Sequence, residues 1–226
     1  MVSIDLKSHA VSNVLMCMDP LIAKVIYMVG YWVANFVIRA PHIKAHGRVP
    51  IRGNRKTRTD TGLFLAVGVG GFFLPLLYVF TPLLSFADYH SPLWVGLSGV
   101  AVLLLGDWVF WKSHKDLGTN WSPTLEIREK HALVTHGIYR RIRHPMYLSI
   151  WLLVIAQAMI LPNYIAGFSG LVPFAILYFV RVPREERMMK EEFGESYHKY
   201  LLETGRILPK LSSANAPTPP QNATRY

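Results

Sequence analysis

The sequence predicts an all-α integral membrane protein with about five transmembrane helices, including a short C-terminal helical hairpin, and with a cytoplasmic loop and helix as a cap. Of the 226 residues, 51% are hydrophobic and only 17% are charged, whereas soluble domains carry about 25% charged residues. The apolar residues come in five long blocks, and most basic residues lie between or after them. Such blocks indicate membrane helices.

The five apolar blocks are the predicted helices. The first three approach the ~20 residues that cross a bilayer as a helix. The last two are shorter and meet at Pro162-Asn163, a turn signal, so residues 147–180 are predicted to form a tight helical hairpin within the membrane. The blocks cover residues 21–38, 62–80, 93–111, 147–161 and 164–180.

The basic residues predict the orientation of these helices. Of the 24 Lys and Arg residues, 22 lie in residues 39–60, 112–146 and 181–226, which fall on one side of a five-span protein. Because positive segments stay in the cytoplasm, the N-terminus is expected outside and the C-terminus in the cytoplasm. The net charge of +10 therefore reflects membrane topology and lipid contact, and nucleic acid is not an expected partner.

The chain divides into three regions by composition. Residues 1–111 are predicted to be an N-terminal membrane region with three spans and a basic cytoplasmic loop at 39–60. Residues 112–211 hold most of the polar residues suited to chemistry. Residues 212–226, rich in Ser, Ala, Pro and Asn, are typical of a disordered tail.

Smaller features predict local structure within these regions. Gly68, Gly70 and Gly71 are expected to allow close helix packing in the second span. Residues 124–138 are predicted to be a loop with extended pieces, and 182–202 an amphipathic helix that Gly194 interrupts. Residues 1–20 lack the basic start and apolar core of a signal peptide.

The first polar cluster ends where the fourth apolar block begins. Pro145 suits the first position of a helix, which makes His144 the residue at the cap and sets Tyr147 just inside. The positive end of that helix attracts an anionic group. Arg140 and Arg141 are interpreted as ordinary topology signals, because basic residues are common at cytoplasmic helix ends.

The second polar cluster follows the fifth block. Arg181 and Glu185 are four residues apart and share a helix face, and Pro183 is expected to bend or restart the helix between them. A buried arginine can hold a carboxylate in a bidentate manner. The two clusters predict a polar pocket that a water-soluble cofactor enters from the cytoplasm and a lipid-like substrate enters from the membrane.

Other types of site are not expected. His42 and His46 lie in a basic loop, none of the usual His or Cys zinc spacings occurs, and Cys17 is the only cysteine, so no metal site and no disulfide framework are predicted. Asp107, inside the third block, is equally compatible with a functional role and with a position at the membrane interface.

The polar residues resemble the isoprenylcysteine carboxyl methyltransferase family of integral membrane methyltransferases. The matching pattern is HALVT at 131–135, GxY at 137–139 and RHPxY at 143–147. It continues through Asn163, Arg181 and the doublet Glu185-Glu186, and then Phe193-Gly194, Tyr197 and Tyr200. The sequence departs from the family at Met146, at Leu148-Ser149 and at Pro183.

The resemblance implies an S-adenosylmethionine-dependent enzyme whose catalytic region is residues 112–211. It implies that Arg181 orients the substrate carboxylate, and that His144 and Tyr147 belong to the catalytic site. The cofactor-binding residues that it implies are Thr124, His131, Ala132, Leu133, Val134, Tyr139, His144, Pro145, Met146, Tyr147 and Glu185.

The favoured hypothesis is methyl transfer to the carboxylate of a prenylated cysteine or a similar lipophilic acceptor. A carboxylate with a pKa of about 3.5 is already ionised at neutral pH and needs no general base. Methylation of a small thiol, or of a phospholipid amine, would require deprotonation. Two further classes of function stay open at this point: a non-catalytic membrane binding protein and a reductase that uses a nicotinamide cofactor.

Overall fold

The computed structural model describes residues 17–46, 51–54, 57–118, 126–128 and 133–210. Three predicted cofactor residues, Thr124, His131 and Ala132, lie outside the described residues, as does the predicted tail at 212–226. The remaining predicted site residues are all described.

Eight α-helices and a two-stranded sheet make up the regular structure of the described residues. Two π-helical segments, Val33–Arg39 and Val69–Phe73, interrupt the first two long helices. The elements are α1 (Pro20–Trp32), α2 (Ala40–His46), β1 (Ile51–Asn54), α3 (Arg58–Gly68), α4 (Leu74–Phe80), α5 (Leu93–Leu117), β2 (Glu126–Arg128), α6 (Pro145–Ile160), α7 (Tyr164–Phe168) and α8 (Leu171–Glu203), with short 3₁₀ turns at Pro82–Ala87 and Gly137–Arg140.

Four helical stretches of the described residues are long and apolar enough to cross a membrane. α6 is a fifth apolar helix but has only 16 residues, which corresponds to about 24 Å. It forms a hairpin with α7 and α8, so the multi-span architecture and the C-terminal hairpin are confirmed. The four stretches are Pro20–Ile43, Arg58–Phe80, Leu93–Leu117 and Tyr164–Glu203.

Polar side chains define where several helices begin. The carboxylate of Asp19 accepts from the first-turn amides of α1, and Thr57 and Asp60 form a reciprocal capping box at α3. Asn163 starts α7 by accepting from the amides of Ile165 and Ala166. Each cap satisfies amides that have no partner within the helix.

The hairpin turn is tied to the loop before α5 by the same asparagine. The Asn163 side-chain amide donates to the Leu84 carbonyl at 2.6 Å and to Asp88 Oδ1 at 2.7 Å. Asn163 is fully buried, so these bonds compensate its desolvation. This connection sets the end of the hairpin that is opposite to Arg181.

Glycines bring α5 and α6 into close contact. A Cβ on Gly99 would lie 2.8 Å from Met159 Cβ, and one on Gly106 would lie 3.2 Å from Leu152 Cβ. Small residues let membrane helices approach and gain dispersion contacts. The pairing places the start of α6 beside the end of α5 where the chain leaves the apolar region.

An uncharged network of hydrogen bonds lies in the middle of the bundle at the second π-helical segment. We call this network the knot. The Gln157 side-chain amide donates to the carbonyls of Gly70 at 3.1 Å and Ala166 at 2.7 Å. Ser169 also donates to the Gly70 carbonyl. Tyr27 donates to the Gly71 carbonyl at 2.9 Å. Side chains thus satisfy carbonyls that a π-helical segment exposes.

The glycine prediction for the second span is most clearly right at one position. A Cβ on Gly70 would collide with the Ser169 carbonyl, whereas a Cβ on Gly68 or Gly71 would meet nothing within 4 Å. The closest backbone approach therefore depends on Gly70. Gly71 also lies near the hairpin, because its Cα would be 3.5 Å from a Cβ on Gly170.

Pro183 is expected from the sequence to bend or restart its helix, and the predicted restart is wrong. α8 continues through Pro183, and its one non-helical residue is Gly194, at φ 51° and ψ −124°. The interruption predicted at Gly194 is therefore confirmed. A positive φ favours glycine, and the chain resumes its helix directly afterwards.

The antiparallel pair of β1 and β2 adds a small sheet to the all-α architecture. The extended piece predicted within 124–138 is confirmed by β2, whereas β1 lies in the segment predicted as a basic loop. A pair this short needs additional packing to be stable.

Candidate active site

The polar clusters meet at one end of the bundle, where the chain enters α6 and where α8 leaves the apolar region. Three segments build this end: the loop at 133–144, the first turns of α6, and the middle of α8. A fourth, residues 204–210, follows α8 and folds back over the loop. We call residues 204–210 the C-terminal strap.

The start of α6 has the predicted form. His144 is the N-cap residue and Pro145 occupies the first helical position. No side chain caps this helix start, so its positive end remains suited to an anionic group. Met146 contributes to the apolar cluster of Ala34, Ile38 and Phe110, which connects this helix start to the first span.

Arg181, Glu185 and Tyr147 form the centre of the site. Tyr147 donates a hydrogen bond of 2.8 Å to Glu185 Oε2, and Arg181 Nε lies 3.9 Å from the same oxygen. The Arg181 side chain is only 7% exposed and that of Glu185 is 30% exposed. The guanidinium also stacks 4.6 Å from the centre of the Phe64 ring, which stabilises a cation.

Aromatic rings line the membrane side of this centre. The ring centroid of Tyr147 lies 5.6 Å from that of His144 and 5.8 Å from that of Tyr178. Trp151 packs edge-on against Phe174 at 5.0 Å. Tyr147 connects this group of rings to Glu185 and so to the centre of the site.

Glu186 is the centre of a separate ion network. Its Oε1 accepts from Arg143 Nε and Nη2, both at 3.3 Å, and from Arg206 Nε at 3.2 Å. His144 Nε2 lies 3.2 Å from the same oxygen, and Arg206 Nη2 lies 2.6 Å from Oε2. The Glu186 side chain is 10% exposed, so these cations compensate a buried charge.

The C-terminal strap is fastened to the loop by backbone bonds. Arg143 N donates to Gly205 O and His144 N donates to Arg206 O, both at 2.9 Å, and Gly205 N donates to Arg141 O at 3.2 Å. A Cβ on Gly205 would collide with the Leu208 carbonyl. Arg143 also donates to the carbonyl of Thr204. The strap is therefore an integral part of this end of the bundle.

The loop before α6 is held by Asp116 and Tyr139. Asp116 accepts from the Ile138 amide at 2.7 Å, and Gly137 next to it has φ 59°. The Tyr139 carbonyl accepts from the Tyr200 hydroxyl at 2.6 Å. Burial, and next the charge of Glu185, raise the pKa of Tyr139 well above its usual value, so this hydroxyl stays neutral.

Comparison with known proteins finds relatives that are similar to the part of the chain that holds this arrangement. The model of the isoprenylcysteine carboxyl methyltransferase family matches residues 99–191. The chain is 27% identical over 129 residues to protein-S-isoprenylcysteine O-methyltransferase A of Arabidopsis thaliana, covering 56% of this chain and 66% of that protein. It is 28% identical over 109 residues to protein-S-isoprenylcysteine O-methyltransferase of Homo sapiens, covering 47% and 38%.

Residues 99–191 of this chain are therefore similar to the isoprenylcysteine carboxyl methyltransferase family. The chain spans between 38% and 66% of the length of these two relatives. A solved structure of the eukaryotic intramembrane Ras methyltransferase of this name is also similar, with 21% identity and a TM-score of 0.48 over 80% of this chain and 60% of that chain. The C-terminal strap lies beyond the segment that the family model matches.

Most residues implied by the family resemblance lie at one place. His144, Pro145, Met146 and Tyr147 form the start of α6, and Arg181 and Glu185 face it from α8. The buried Tyr139 lies in the loop leading to that helix. Leu133 and Val134 are half-buried at the start of the same loop.

Three residues of the ion network, Arg143, Glu186 and Arg206, do not belong to the set of site residues implied by the resemblance. The doublet Glu185-Glu186 in the sequence could have indicated a role for Glu186. Adjacent helix residues point about 100° apart, so only one carboxylate of the doublet can face Arg181 and the other requires cations elsewhere. Arg206 carried no comparable signal, because only the fold of the C-terminal strap brings it to Glu186.

Asp107 does not belong to this network. It lies within α5, and its Oδ1 is buried without a hydrogen-bond partner among the described residues. Arg140 and Arg141 are exposed, which agrees with their interpretation as topology signals.

Proposed function

We propose that this protein is a membrane-embedded S-adenosylmethionine-dependent methyltransferase that methylates the carboxylate of a prenylated cysteine or a similar lipophilic acceptor. The observation that carries the proposal is Arg181, a buried guanidinium at the end of the apolar region, beside Tyr147 and Glu185. The match of residues 99–191 to the family model and the names of the relatives support the same chemistry.

The residues at the start of α6 fit the cofactor. The helix start, which no side chain caps, suits a carboxylate of the cofactor. The partly exposed Glu185 suits its amine or ribose hydroxyls. Tyr139, His144, Pro145, Met146 and Tyr147 would surround it, with Leu133 and Val134 at the edge of the site. When bound, S-adenosylmethionine supplies an electrophilic methyl group on a sulfonium.

Arg181 is assigned to the acceptor. Its guanidinium would hold the acceptor carboxylate in a bidentate manner and orient one oxygen for in-line displacement. An ionised carboxylate needs no base, so alignment and desolvation are the main requirements, and alignment can supply roughly 7–11 kcal/mol. The aromatic wall of Tyr147, Tyr178 and Trp151 would exclude water while a lipid tail remains in the membrane.

We also propose that this site faces the cytoplasm and that the N-terminus lies outside. The support is the distribution of charge, because 22 of the 24 Lys and Arg residues lie in three segments on the side of the site. Such segments remain cytoplasmic during membrane insertion.

A methyl-acceptor assay tests the reaction. Purified protein in lipid nanodiscs is given radiolabelled S-adenosylmethionine with a prenylcysteine, a small thiol or a phospholipid amine. Saturable labelling of prenylcysteine as a base-labile ester is expected. Labelling of the thiol or the amine instead would overturn the acceptor assignment. Binding of neither S-adenosylmethionine nor its demethylated product in calorimetry would overturn the enzyme assignment.

Glu185→Ala tests the cofactor assignment. Loss of one charged hydrogen-bond acceptor should weaken S-adenosylmethionine binding about tenfold, as measured by calorimetry. Glu195→Ala, a change at an exposed carboxylate of the same helix, is the matched control. Unchanged affinity in Glu185→Ala would show that the pocket is assigned to the wrong residues.

A further inference from the structure

The ion network around Glu186 fixes the protonation pattern of His144. An ionised carboxylate only accepts hydrogen bonds, and two arginines contact the Glu186 carboxylate together with His144. His144 Nε2, at 3.2 Å from Oε1, must therefore carry the proton. In the neutral ring, Nδ1 then has a lone pair and acts as an acceptor.

The C-terminal strap contacts both His144 and Glu186. Its backbone accepts from the amide of His144 through Arg206 O, at 2.9 Å, and its Arg206 side chain contacts both oxygens of Glu186. One short segment thus sets the position of the His144 backbone and the partner of its ring.

We propose that Glu186 and the C-terminal strap are positioning elements of the cofactor site, which hold His144 in the Nε2–H tautomer and present Nδ1 as an acceptor to a donor group of S-adenosylmethionine. This inference rests on the proposed function and deepens it. It adds Glu186 and Arg206 as positioning residues, which act through His144 and touch neither substrate nor cofactor.

A change at Arg206 can distinguish a positioning role in the cofactor site from a contribution to the stability of the fold. Its side chain is 47% exposed, and a partly exposed ion pair contributes little to the stability of a fold. Its hydrogen bond to Glu186 raises the pKa of Arg206, so it is a permanent cation. Neutralising it should leave the fold intact while it weakens the hold on the Glu186 carboxylate.

The experiment compares four variants of the full chain in nanodiscs. Glu186→Gln removes the charge with little change of shape, Arg206→Gln removes one cation, and Arg206→Lys keeps it. Arg187→Gln, at an exposed arginine next to Glu186 in α8, is the matched control. The measurements are S-adenosylmethionine affinity by calorimetry and the His144 tautomer by ¹⁵N-histidine NMR in mildly alkaline buffer, assigned with His144→Asn.

The variants are expected to differ in how much affinity for S-adenosylmethionine they lose. Affinity should fall about tenfold in Glu186→Gln, the scale of a lost charged hydrogen bond, and about threefold in Arg206→Gln. Arg187→Gln should stay within about twofold of the unaltered protein. Arg206→Lys keeps the charge but not the two-point contact, so its loss should be smaller than that of Arg206→Gln. The Nε2–H population of His144 should decrease in the two Gln variants that lose affinity.

Two results would overturn the inference. One is an Nδ1–H tautomer of His144 in the unaltered protein. The other is an unchanged tautomer and affinity in Arg206→Gln, a variant whose folding is checked by its melting temperature. Because the tautomer is measured without cofactor, failure of the proposed function is seen separately, as absence of S-adenosylmethionine binding to the unaltered protein.

Discussion

Two of the polar regions that the described residues form differ in charge and in exposure. The neutral knot in the middle of the helical bundle joins Gln157 to backbone carbonyls such as those of Gly70 and Ala166. The charged layer at the end of the bundle joins Arg181 to Glu185, and Glu186 to Arg206. Gln157 is 2% exposed, whereas the Glu185 side chain is 30% exposed.

The difference separates a structural role from a binding role. In the knot, Gln157 donates to the Gly70 carbonyl of a π-helical segment and to the Ala166 carbonyl of α7, so its amide group is satisfied within the protein. In the charged layer, a buried guanidinium lies beside a carboxylate that solvent reaches. Charges at the end of a membrane helix are costly to place, and this arrangement is suited to a ligand.

Arg181→Ala should have the largest effect, and it should be confined to the charged layer. Without the guanidinium that orients the acceptor carboxylate, turnover should fall about 100-fold or more, as when one transition-state hydrogen-bond donor is removed. Affinity for S-adenosylmethionine should change by less than about threefold, because Arg181 is assigned to the acceptor. Initial rates and calorimetry measure the two quantities.

Arg187→Ala is the control for this change, since Arg187 is exposed on the same helix and loses the same charge. Turnover in Arg181→Ala within a few fold of the control would remove Arg181 from the reaction. An equal loss of turnover and cofactor affinity would place the guanidinium at the cofactor instead.

Gln157→Leu should lower the stability of the protein and leave cofactor binding unchanged, whereas Arg181→Ala should lower turnover. The carbonyls of Gly70 and Ala166 would lose a donor inside the membrane, where hydrogen bonds between helices contribute about 1–2 kcal/mol at most. The free energy of unfolding, measured by denaturant titration in detergent, should fall by that amount. The affinity for S-adenosylmethionine should not change, and a weakened affinity would show that the knot is coupled to the charged layer.

The charged layer could be predicted in large part from the sequence because it depends on local spacing. Pro145 after His144 indicates a helix start, and a separation of four residues sets Arg181 and Glu185 on one face. The helix through Pro183 could not be predicted, because tertiary packing can maintain a helix that local propensity disfavours.

The knot and the C-terminal strap were beyond the reach of local patterns for a different reason. Gln157 reaches Gly70 across 87 residues of chain, and Arg143 reaches Thr204 across 61. Neither separation has a periodicity that a single sequence reveals. The second π-helical segment depends on the same tertiary partners, which satisfy the carbonyls of Gly70 and Gly71.

Tyr27→Phe should have the smallest effect and tests whether the knot is one cooperative unit. Tyr27 donates to the Gly71 carbonyl at 2.9 Å and lies 3.3 Å from Gln157 Oε1. Loss of its hydroxyl should lower the free energy of unfolding by about 0.6 kcal/mol, the mean for hydrogen bonds between membrane helices. Tyr164→Phe, at a tyrosine that is 65% exposed, should have no measurable effect.

The double variant Tyr27→Phe/Gln157→Leu decides how the knot is organised. Because the two side chains contact each other, removing both should cost less than the sum of the single changes, by about 0.5 kcal/mol. Strict additivity would mean that each side chain satisfies its own carbonyl independently. The knot would then consist of separate bonds, and its difference from the mutually dependent ions around Glu186 would be larger still.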